Sequence, residues 1–423
     1  MTADPDPRLP ARAWLVVGLL WVVGCLNYLD RVMITTMRGS LKEAIPMTEA
    51  QFGLLTTAFL VVYALLSPFA GYLADRFNRS RVIIGSLFVW SLITWLTAHS
   101  KTYEQLFTTR LMMGVSEACF LPASLALVAD YHRGTTRSLA TGIVLGGVMI
   151  GGAMGGLGGW LAERHDWTYA FNLFGLIGIG FALVLLVLLR DAPRRAGAAG
   201  APAESLPGVR MGGAVKSLFG SRSFIIAFIY WGLLGVAAWM VIGWMPTYLQ
   251  EHFHLPQGRA GLLATVGVNT ASLVGLVAGG VWSDRWSRTN RRACILVTAI
   301  GLALSVPAIL LVSTTGQLPV AIAGLVLYGF TIAFASGEMM PILCLILDPR
   351  YIATGFGVLN LFACAVGGAT TYAGGAMRDA QIDVSRLFMA GAAGMVVCAV
   401  MLLFIRPRDE RPPETSLPKP IPA

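Results

Sequence analysis

Five ionisable side chains lie within stretches that are otherwise apolar: Asp30, Arg31, Arg110, Glu117 and Glu338. A charge at the centre of a bilayer costs at least about 2.5–3.5 kcal/mol, so such residues persist only with a partner and usually with a function. A carboxylate in apolar surroundings can take up and release a proton, whereas a guanidinium stays charged and presents a planar fork to an anion. These residue types therefore predict proton transfer and anion binding.

The spacing of Arg110 and Glu117 is seven residues, or two helical turns. The two side chains should share one helix face, about 10 Å apart along the axis. Residues 110, 114, 117, 121 and 124 form a stripe on that face, ending at Ser124. We predict that the stripe faces a cavity, and that Glu117 is only loosely paired and carries a proton.

The second charged pair, Asp30 and Arg31, is adjacent in sequence. Adjacent helical residues point about 100° apart, whereas Asn27 and Arg31, four apart, share a face. Asp30 therefore needs another cation, and we expect it to pair with Arg110. The alternative is that all four charges only form ion pairs that hold two helices together, but such a structural role should leave no carboxylate loosely paired.

Composition identifies the elements that must position these residues. Of the 423 residues, 56% are hydrophobic and only 13% are charged, about half the charged fraction of a soluble domain. The chain has apolar runs of the roughly 20 residues that a helix needs to cross a bilayer, and lacks the alternating ~10-residue segments of a barrel. We predict an all-α membrane protein with twelve spans, numbered one to twelve, at residues 12–36, 49–74, 82–99, 103–130, 138–161, 167–190, 223–250, 258–283, 293–314, 318–347, 351–377 and 383–405.

The net charge of +9 is distributed unevenly along the chain. Of the 31 Lys and Arg residues, 22 lie in the termini, in the connections that follow even-numbered spans or, for Arg12 and Arg190, at the span ends next to them. This bias predicts that both termini are cytoplasmic, and it argues against a nucleic-acid partner. We expect no removable signal peptide. All six cysteines fall within predicted spans, which argues against a disulfide framework.

An internal repeat divides the chain. "GYLADRFNRSR" after span two recurs in weaker form as "GVWSDRWSRTNRR" after span eight, which indicates two pseudo-symmetric halves. We predict a tail at 1–11, six-helix bundles at 12–190 and 223–405, a linker at 191–222 and a tail at 406–423. Either motif alone could be a simple positively charged turn. As a pair they predict gating residues whose arginines pair across the gap between the halves: Gly71, Asp75, Arg76, Arg79, Asp284 and Arg285.

Span five is rich in glycine, "TGIVLGGVMIGGAMGGLGGW". The run has no phosphate-loop Lys-Ser/Thr and follows no strand. We expect the small residues to let helices approach closely, at Gly142, Gly146, Gly151, Gly155 and Gly159.

These features together resemble the major facilitator superfamily, through the motif after span two, its copy after span eight, and "RLMMG" in span four. The resemblance implies two six-helix bundles that rock about a central cavity. "NYLDR" in span one, "RLMMGVSEACFLP", "WMPTYL" and "GFGVLNLFACAVGG" resemble its anion:cation symporter branch, which imports sugar acids and other organic anions with protons. That branch implies proton coupling by Asp30 and Glu117 and substrate binding by Arg31 and Arg110.

A second branch is also similar. Spinster-like transporters of lysolipids and sphingoid phosphates share the Asp-Arg pair of span one and the seven-residue spacing of span four. In those proteins the proline usually follows the glutamate later than Pro122 follows Glu117 here. This difference favours the organic-anion branch.

The remaining candidates are polar or aromatic side chains near the charged residues or in the second half. The predicted substrate contacts are Asn27, Tyr28, Ser124, Asn360 and Trp239. For Asn360 and Trp239 the alternative is helix packing or an interfacial aromatic. Glu338, before Pro341, is a further candidate coupling residue or a partner for an arginine near the cytoplasmic side. The two histidines of "EHFHLP" lack a third ligand, so we expect no metal site.

No nucleophile with a base and an orienting group is evident, and no nucleotide-binding loop. We therefore expect neither an enzyme nor an ATP-driven pump, and no cofactor apart from the proton as coupling ion. The predicted partners are a small organic anion, protons and the lipid bilayer. We expect a monomer in the inner (plasma) membrane.

Overall fold

The computed structural model describes residues 8–132, 136–192, 216–348 and 351–408, except for the side chains of 8–10, 68, 71–75 and 353. The predicted tails and linker therefore lie largely outside the described residues. Within the described part the chain is helical and has no strand. The helices are Arg8–Thr36, Arg38–Ala44, Glu49–Arg76, Arg79–Thr97, Tyr103–Glu117, Phe120–Tyr131, Arg137–Met154, Gly156–Arg164, Trp167–Leu188, Arg222–His252, Gln257–Ser287, Ala293–Thr314, Leu318–Gly337, Met339–Ile346, Ile352–Asp379 and Val384–Leu403.

Twelve spans are long and apolar enough to cross a bilayer, as predicted. They are Ala11–Thr36, Glu49–Ser67, Arg79–Thr97, Tyr103–Tyr131, Arg137–Arg164, Trp167–Leu188, Arg222–His252, Gln257–Ser287, Ala293–Thr314, Leu318–Ile346, Thr354–Asp379 and Val384–Leu403. We call spans one to six the N-terminal half and spans seven to twelve the C-terminal half. The face with the loops that follow odd-numbered spans is the outer face, and the opposite one is the inner face.

Spans four, five and ten are each interrupted. The first helix of span four ends at Glu117 and the next begins at Phe120, while span ten breaks at Glu338. Pro122 and Pro341 explain these two breaks, because proline has no N–H for the carbonyl four residues earlier. Near the first break, the Ser86 hydroxyl donates a hydrogen bond of 2.6 Å to the Ser116 carbonyl oxygen.

The glycines of span five bring three spans together. A Cβ on Gly151 would meet the backbone of Cys25 in span one, and a Cβ on Gly156 would meet span eight at Leu262, 2.8 Å from its Cα. The packing prediction therefore holds for Gly151. Gly142 and Gly146 differ from the prediction, because a Cβ at either would meet nothing within 4 Å.

The two halves meet at the outer face through a set of charged side chains that we call the outer latch: Arg38, Glu49, Glu251, Arg378 and Asp379. Arg38 pairs with Glu49 of its own half and, at 3.1 Å, with Glu251 of the other. Arg378 pairs with Glu251 at 2.7 Å and with Glu49 at 3.5 Å. The two Asp379 carboxylate oxygens accept the Glu49 and Ala50 amide hydrogens, each at 2.9 Å.

Closer to the middle of the bilayer, two hydroxyl groups continue this contact. The Thr57 hydroxyl donates to the Gly368 carbonyl oxygen at 2.6 Å, and the Thr265 hydroxyl donates to the Ala153 carbonyl oxygen at 3.0 Å. The hydrogen bonds and ion pairs described between the halves thus run from the outer face towards the midplane. The structure is closed at the outer face.

Candidate functional site

A salt bridge joins spans one and four at the centre of the N-terminal half. Glu117, which is fully buried, accepts hydrogen bonds at one carboxylate oxygen from Arg31 Nε and Asn27 Nδ2, both at 2.9 Å. Arg31 Nη2 also donates to Asn27 Oδ1 at 3.3 Å, which closes a three-residue ring. Asn27 and Arg31 share a face of span one, as predicted, and both point at the end of the first helix of span four.

This arrangement differs from the predicted pairing. Glu117 was expected to be loosely paired, yet it is the carboxylate with the direct ion pair. Asp30 and Arg110 were expected to pair, and they interact electrostatically but are not within 4.0 Å of each other. The seven-residue spacing shows only that Arg110 and Glu117 share a helix face. It carries no information on which side chain of span one reaches that face.

Asp30 lies on the other side of span one and is 2% exposed. One of its oxygens accepts a hydrogen bond of 3.1 Å from the Thr94 hydroxyl of span three, and the other has no hydrogen-bond partner among the described residues. Asp30 is therefore the less satisfied of the two site carboxylates.

Arg110 is also 2% exposed, and its Nε and Nη2 atoms have no hydrogen-bond partner in the described part of the chain. Its guanidinium carbon lies 5.4 Å from the centroid of the Phe171 ring, in span six. A cation over an aromatic face gains some stabilisation without using its N–H donors. Two nitrogens of Arg110, which carry three N–H groups, thus stay available to a ligand.

Aromatic rings surround Arg31 on its other side. Its guanidinium carbon lies 4.2 Å from the Tyr63 ring centroid, 5.0 Å from that of Phe59 and 5.2 Å from that of Tyr28. Tyr28 was predicted from the sequence as a substrate contact, whereas Phe59, Tyr63, Thr94 and Phe171 were not predicted. The four-residue spacing of Phe59 and Tyr63, which stack on one face of span two, was the available signal.

The other predicted contacts lie at different distances from the charges. Ser124 is fully buried, and its hydroxyl has no described partner. Trp239 is buried and belongs to the same hydrophobic cluster as Phe59 and Tyr63, which also includes Cys364 of span eleven. Asn360 is half-buried and forms no described hydrogen bond with the site. Trp239 thus shares a cluster with two of the rings around Arg31, whereas Asn360 has no described link to the site.

Several buried polar atoms of the site have no hydrogen-bond partner among the described residues. They are Asp30 Oδ1, Arg110 Nε and Nη2, Glu117 Oε1 and Ser124 Oγ. An unsatisfied buried polar group costs about 1–3 kcal/mol, so several in one region indicate a site that a polar ligand completes. Chemically, this set can bind an anion at Arg110 and hold protons on two carboxylates.

The predicted gating residues lie near the inner face, away from this site. Arg79 donates to the Ala126 carbonyl oxygen at 3.2 Å and pairs with Asp130, both in its own half. Asp284 and Arg285 are exposed and have no described hydrogen bond or ion pair. Arg76 is exposed, and the side chains of Gly71 and Asp75 lie outside the described part.

Glu338 is buried at the break in span ten, where it accepts a 2.8 Å hydrogen bond from the Ser283 hydroxyl of span eight. Of the two interpretations given to it, pairing with an arginine is not among the described contacts. The residue links two spans of the C-terminal half and takes no part in the charged site.

Twelve spans in two halves, with ionisable side chains buried between helices, are the arrangement expected of a membrane transporter. The chain belongs to the Major Facilitator Superfamily, whose family model matches residues 20–372. The members of this family and the similar solved structures are transporters and not enzymes.

Two relatives and one solved structure specify the similarity further. The chain is 27% identical to protein spinster homolog 1 of Xenopus laevis over 311 residues, which cover 70% of this chain and 59% of that protein. It is also 27% identical, over 307 residues, to the probable galactarate/D-glucarate transporter GudP of Escherichia coli, covering 66% of this chain and 67% of that one. A crystal structure of a bacterial homologue of the lysosomal transporter spinster superposes with a TM-score of 0.74 at 21% identity, covering 95% of this chain and 96% of that one.

Proposed function

We propose that this transporter couples the movement of protons to that of an organic anion, a sugar acid such as a hexonate or hexuronate. The observation that carries the proposal is the pair of unpartnered N–H-bearing nitrogens of Arg110 beside two buried carboxylates. The similarity to a transporter named for galactarate and D-glucarate supports the substrate class.

The net charge of the site requires coupling between anion and proton. Asp30, Glu117, Arg31 and Arg110 together carry no net charge when all four are ionised. An added anion would leave an uncompensated negative charge away from water, which costs several kcal/mol. One proton on a site carboxylate restores neutrality, so each negative charge of the substrate needs at least one proton.

Glu117 is suited to this exchange because its carboxylate holds Arg31. Protonation removes the charge that attracts the guanidinium and weakens the 2.9 Å ion pair. Arg31 can then turn a donor towards the same anion that Arg110 binds, as a second bidentate partner. When Glu117 loses its proton it reclaims Arg31, and the anion loses one of its two cations.

Alternating access gives this exchange a direction. The outer latch holds the outer face closed in the present state, and its opening would expose the site to the other side of the membrane. We place the protein in the inner (plasma) membrane, where each charge that moves through 100 mV contributes about 2.3 kcal/mol. Two protons with one monovalent anion would make transport respond to voltage as well as to pH.

A second candidate substrate is a lysophospholipid or a sphingoid lipid. The rings of Tyr28, Phe59 and Tyr63 around Arg31 favour an amphipathic ligand whose phosphate meets the guanidinium. The similarity to spinster homolog 1 supports this alternative.

The proton-coupling proposal is tested with Glu117→Gln in proteoliposomes. Glutamine keeps an oxygen that can accept from Asn27 and Arg31 but cannot titrate. We expect the variant to lose pH-driven accumulation and to retain counterflow exchange. Glu104→Gln is the matched control, since Glu104 is exposed in the same helix. Equal loss of both activities would show that Glu117 is structural or binds substrate.

The substrate class is tested by thermal stability of the purified protein with sugar acids, small monocarboxylates and lysophospholipids. A ligand at 100 times its dissociation constant stabilises the protein by about 2.7 kcal/mol. We expect stabilisation by a sugar acid. Stabilisation by lysophospholipids alone would replace the first candidate with the second.

A further inference from the structure

Two apolar grooves lie on either side of span three, on the bilayer-facing surface of the N-terminal half. The first, with a volume of about 370 Å³, runs between spans three and six past Phe88 and Leu186. The second, about 600 Å³, runs between spans three and four past Val89 and Met112. Both have almost wholly apolar walls. Neither is part of the charged site.

Arg81 and Gly85 line both grooves. Arg81 is exposed near the inner-face end of span three and has no described hydrogen bond or ion pair. Gly85 lies one turn further along, and a Cβ there would meet nothing within 4 Å. The surface of span three between the two grooves therefore has no side chain at Gly85, and the Arg81 guanidinium lies one turn away towards the inner face.

We propose that a two-chain anionic phospholipid binds astride span three, with its phosphate on Arg81 and one acyl chain in each groove. A guanidinium binds a phosphate through two parallel hydrogen bonds. Two grooves that meet below one cation match two chains that leave one headgroup. A zwitterionic headgroup would bring its own amine beside the Arg81 guanidinium, which favours an anionic lipid over a zwitterionic one.

This lipid would contact the segment that carries Glu117. The second groove is also lined by Ser116 and Cys119, which lie on either side of the break in span four. An acyl chain in that groove would pack against the break itself. The proposal concerns binding alone and does not rest on the proposed function.

The experiment measures lipid binding to the detergent-solubilised full chain by native mass spectrometry. The probes are dioleoyl-phosphatidylglycerol, dioleoyl-phosphatidylcholine and inorganic phosphate. We expect phosphatidylglycerol to bind more tightly than phosphatidylcholine, and Arg81→Gln to weaken phosphatidylglycerol about fivefold. Gly85→Leu should also weaken it, because the new side chain fills the place where the grooves meet. Arg222→Gln, at an exposed inner-face arginine outside both grooves, is the matched control.

Three outcomes would overturn the proposal. Equal binding of the two lipids would remove the anionic selectivity. Equal weakening by Arg81→Gln and Arg222→Gln would show only a general surface charge effect. Competition by inorganic phosphate at similar concentration, with Gly85→Leu unchanged, would reduce the site to one for a free anion.

Discussion

Replacement of Asp379 with asparagine should open the outer face. Asp379 belongs to span eleven, yet its two oxygens accept the first two amide hydrogens of span two, each at 2.9 Å. It therefore caps a helix of the opposite half. Asparagine has one acceptor oxygen and no charge, so one of these hydrogen bonds and the attraction to the helix N-terminus are lost.

The expected effect follows from these two losses. A helix cap contributes about 1 kcal/mol, and a charge at an exposed helix end about 0.3–1 kcal/mol. Together they come to about 1.5 kcal/mol, which is a roughly tenfold change in the ratio of closed to open outer face. The shift should be partial, because the ion pairs of Glu251 with Arg38 and Arg378 remain.

The assay is pulsed electron paramagnetic resonance between spin labels on unnatural amino acids at Glu43 and Gln317. Both positions are exposed on the outer face, one in each half, and neither is part of the outer latch. We expect Asp379→Asn to increase the population with the longer distance about tenfold.

Asp383→Asn provides a close control. Asp383 is likewise exposed, and it caps the helix of span twelve by accepting the Ser385 amide hydrogen at 2.7 Å. That contact stays within the C-terminal half. Asp383→Asn should lower stability without changing the distances. An unchanged distribution in Asp379→Asn, or the same change in both variants, would show that the Asp379 cap does not hold the outer face closed.

Three further predictions concern the site and the caps. Arg110→Lys should bind the anion about 10–100-fold more weakly in a direct binding assay, because a point charge cannot replace a bidentate fork; unchanged affinity would remove Arg110 from the site. Thr94→Val should lower the free energy of unfolding by about 1–3 kcal/mol, since it removes the described hydrogen bond of Asp30. Thr97→Val, which affects a hydrogen bond within its own helix, should lower the free energy of unfolding by less. Hydrogen bonds from the backbone and side chain of Ser385 hold the pKa of the Asp383 carboxyl below its usual range. The stability that this cap contributes should therefore be present above about pH 4 and disappear as the pH falls through the lowered pKa. The unfolding midpoints of the parent protein and of Asp383→Asn should converge at that low pH.

The fold could be predicted from the sequence because lipid imposes a simple rule. A span needs about 20 apolar residues with every backbone group paired internally, and each of the twelve runs satisfies this locally. Pro122 and Pro341 are local signals for the breaks in spans four and ten, but the break in span four was not predicted from the sequence. The closed outer face was not, because the outer latch joins residues more than 200 positions apart.

The site was predicted in part. A charge in an apolar run marks its own position, so Asp30, Arg31, Arg110 and Glu117 were evident. Their pairing was not, since helical periodicity specifies a face but not the rotation of one helix against its neighbour. Thr94 and Phe171 carry no charge, and in sequence they resemble any hydroxyl or aromatic residue of a span.

The four site charges all belong to spans one and four, while the C-terminal half contributes Trp239 and Cys364 to the buried cluster that contains Phe59 and Tyr63. A rocking motion between the halves therefore leaves the ion pair and its ligand intact on one rigid body. In the proposed mechanism the C-terminal half would move across this site, and the shared cluster would connect that movement to the charges. Under that mechanism, protonation would act on the position of the C-terminal half by repacking this cluster, and the strength of coupling would depend on how tightly the cluster that holds Trp239, Phe59 and Tyr63 is packed.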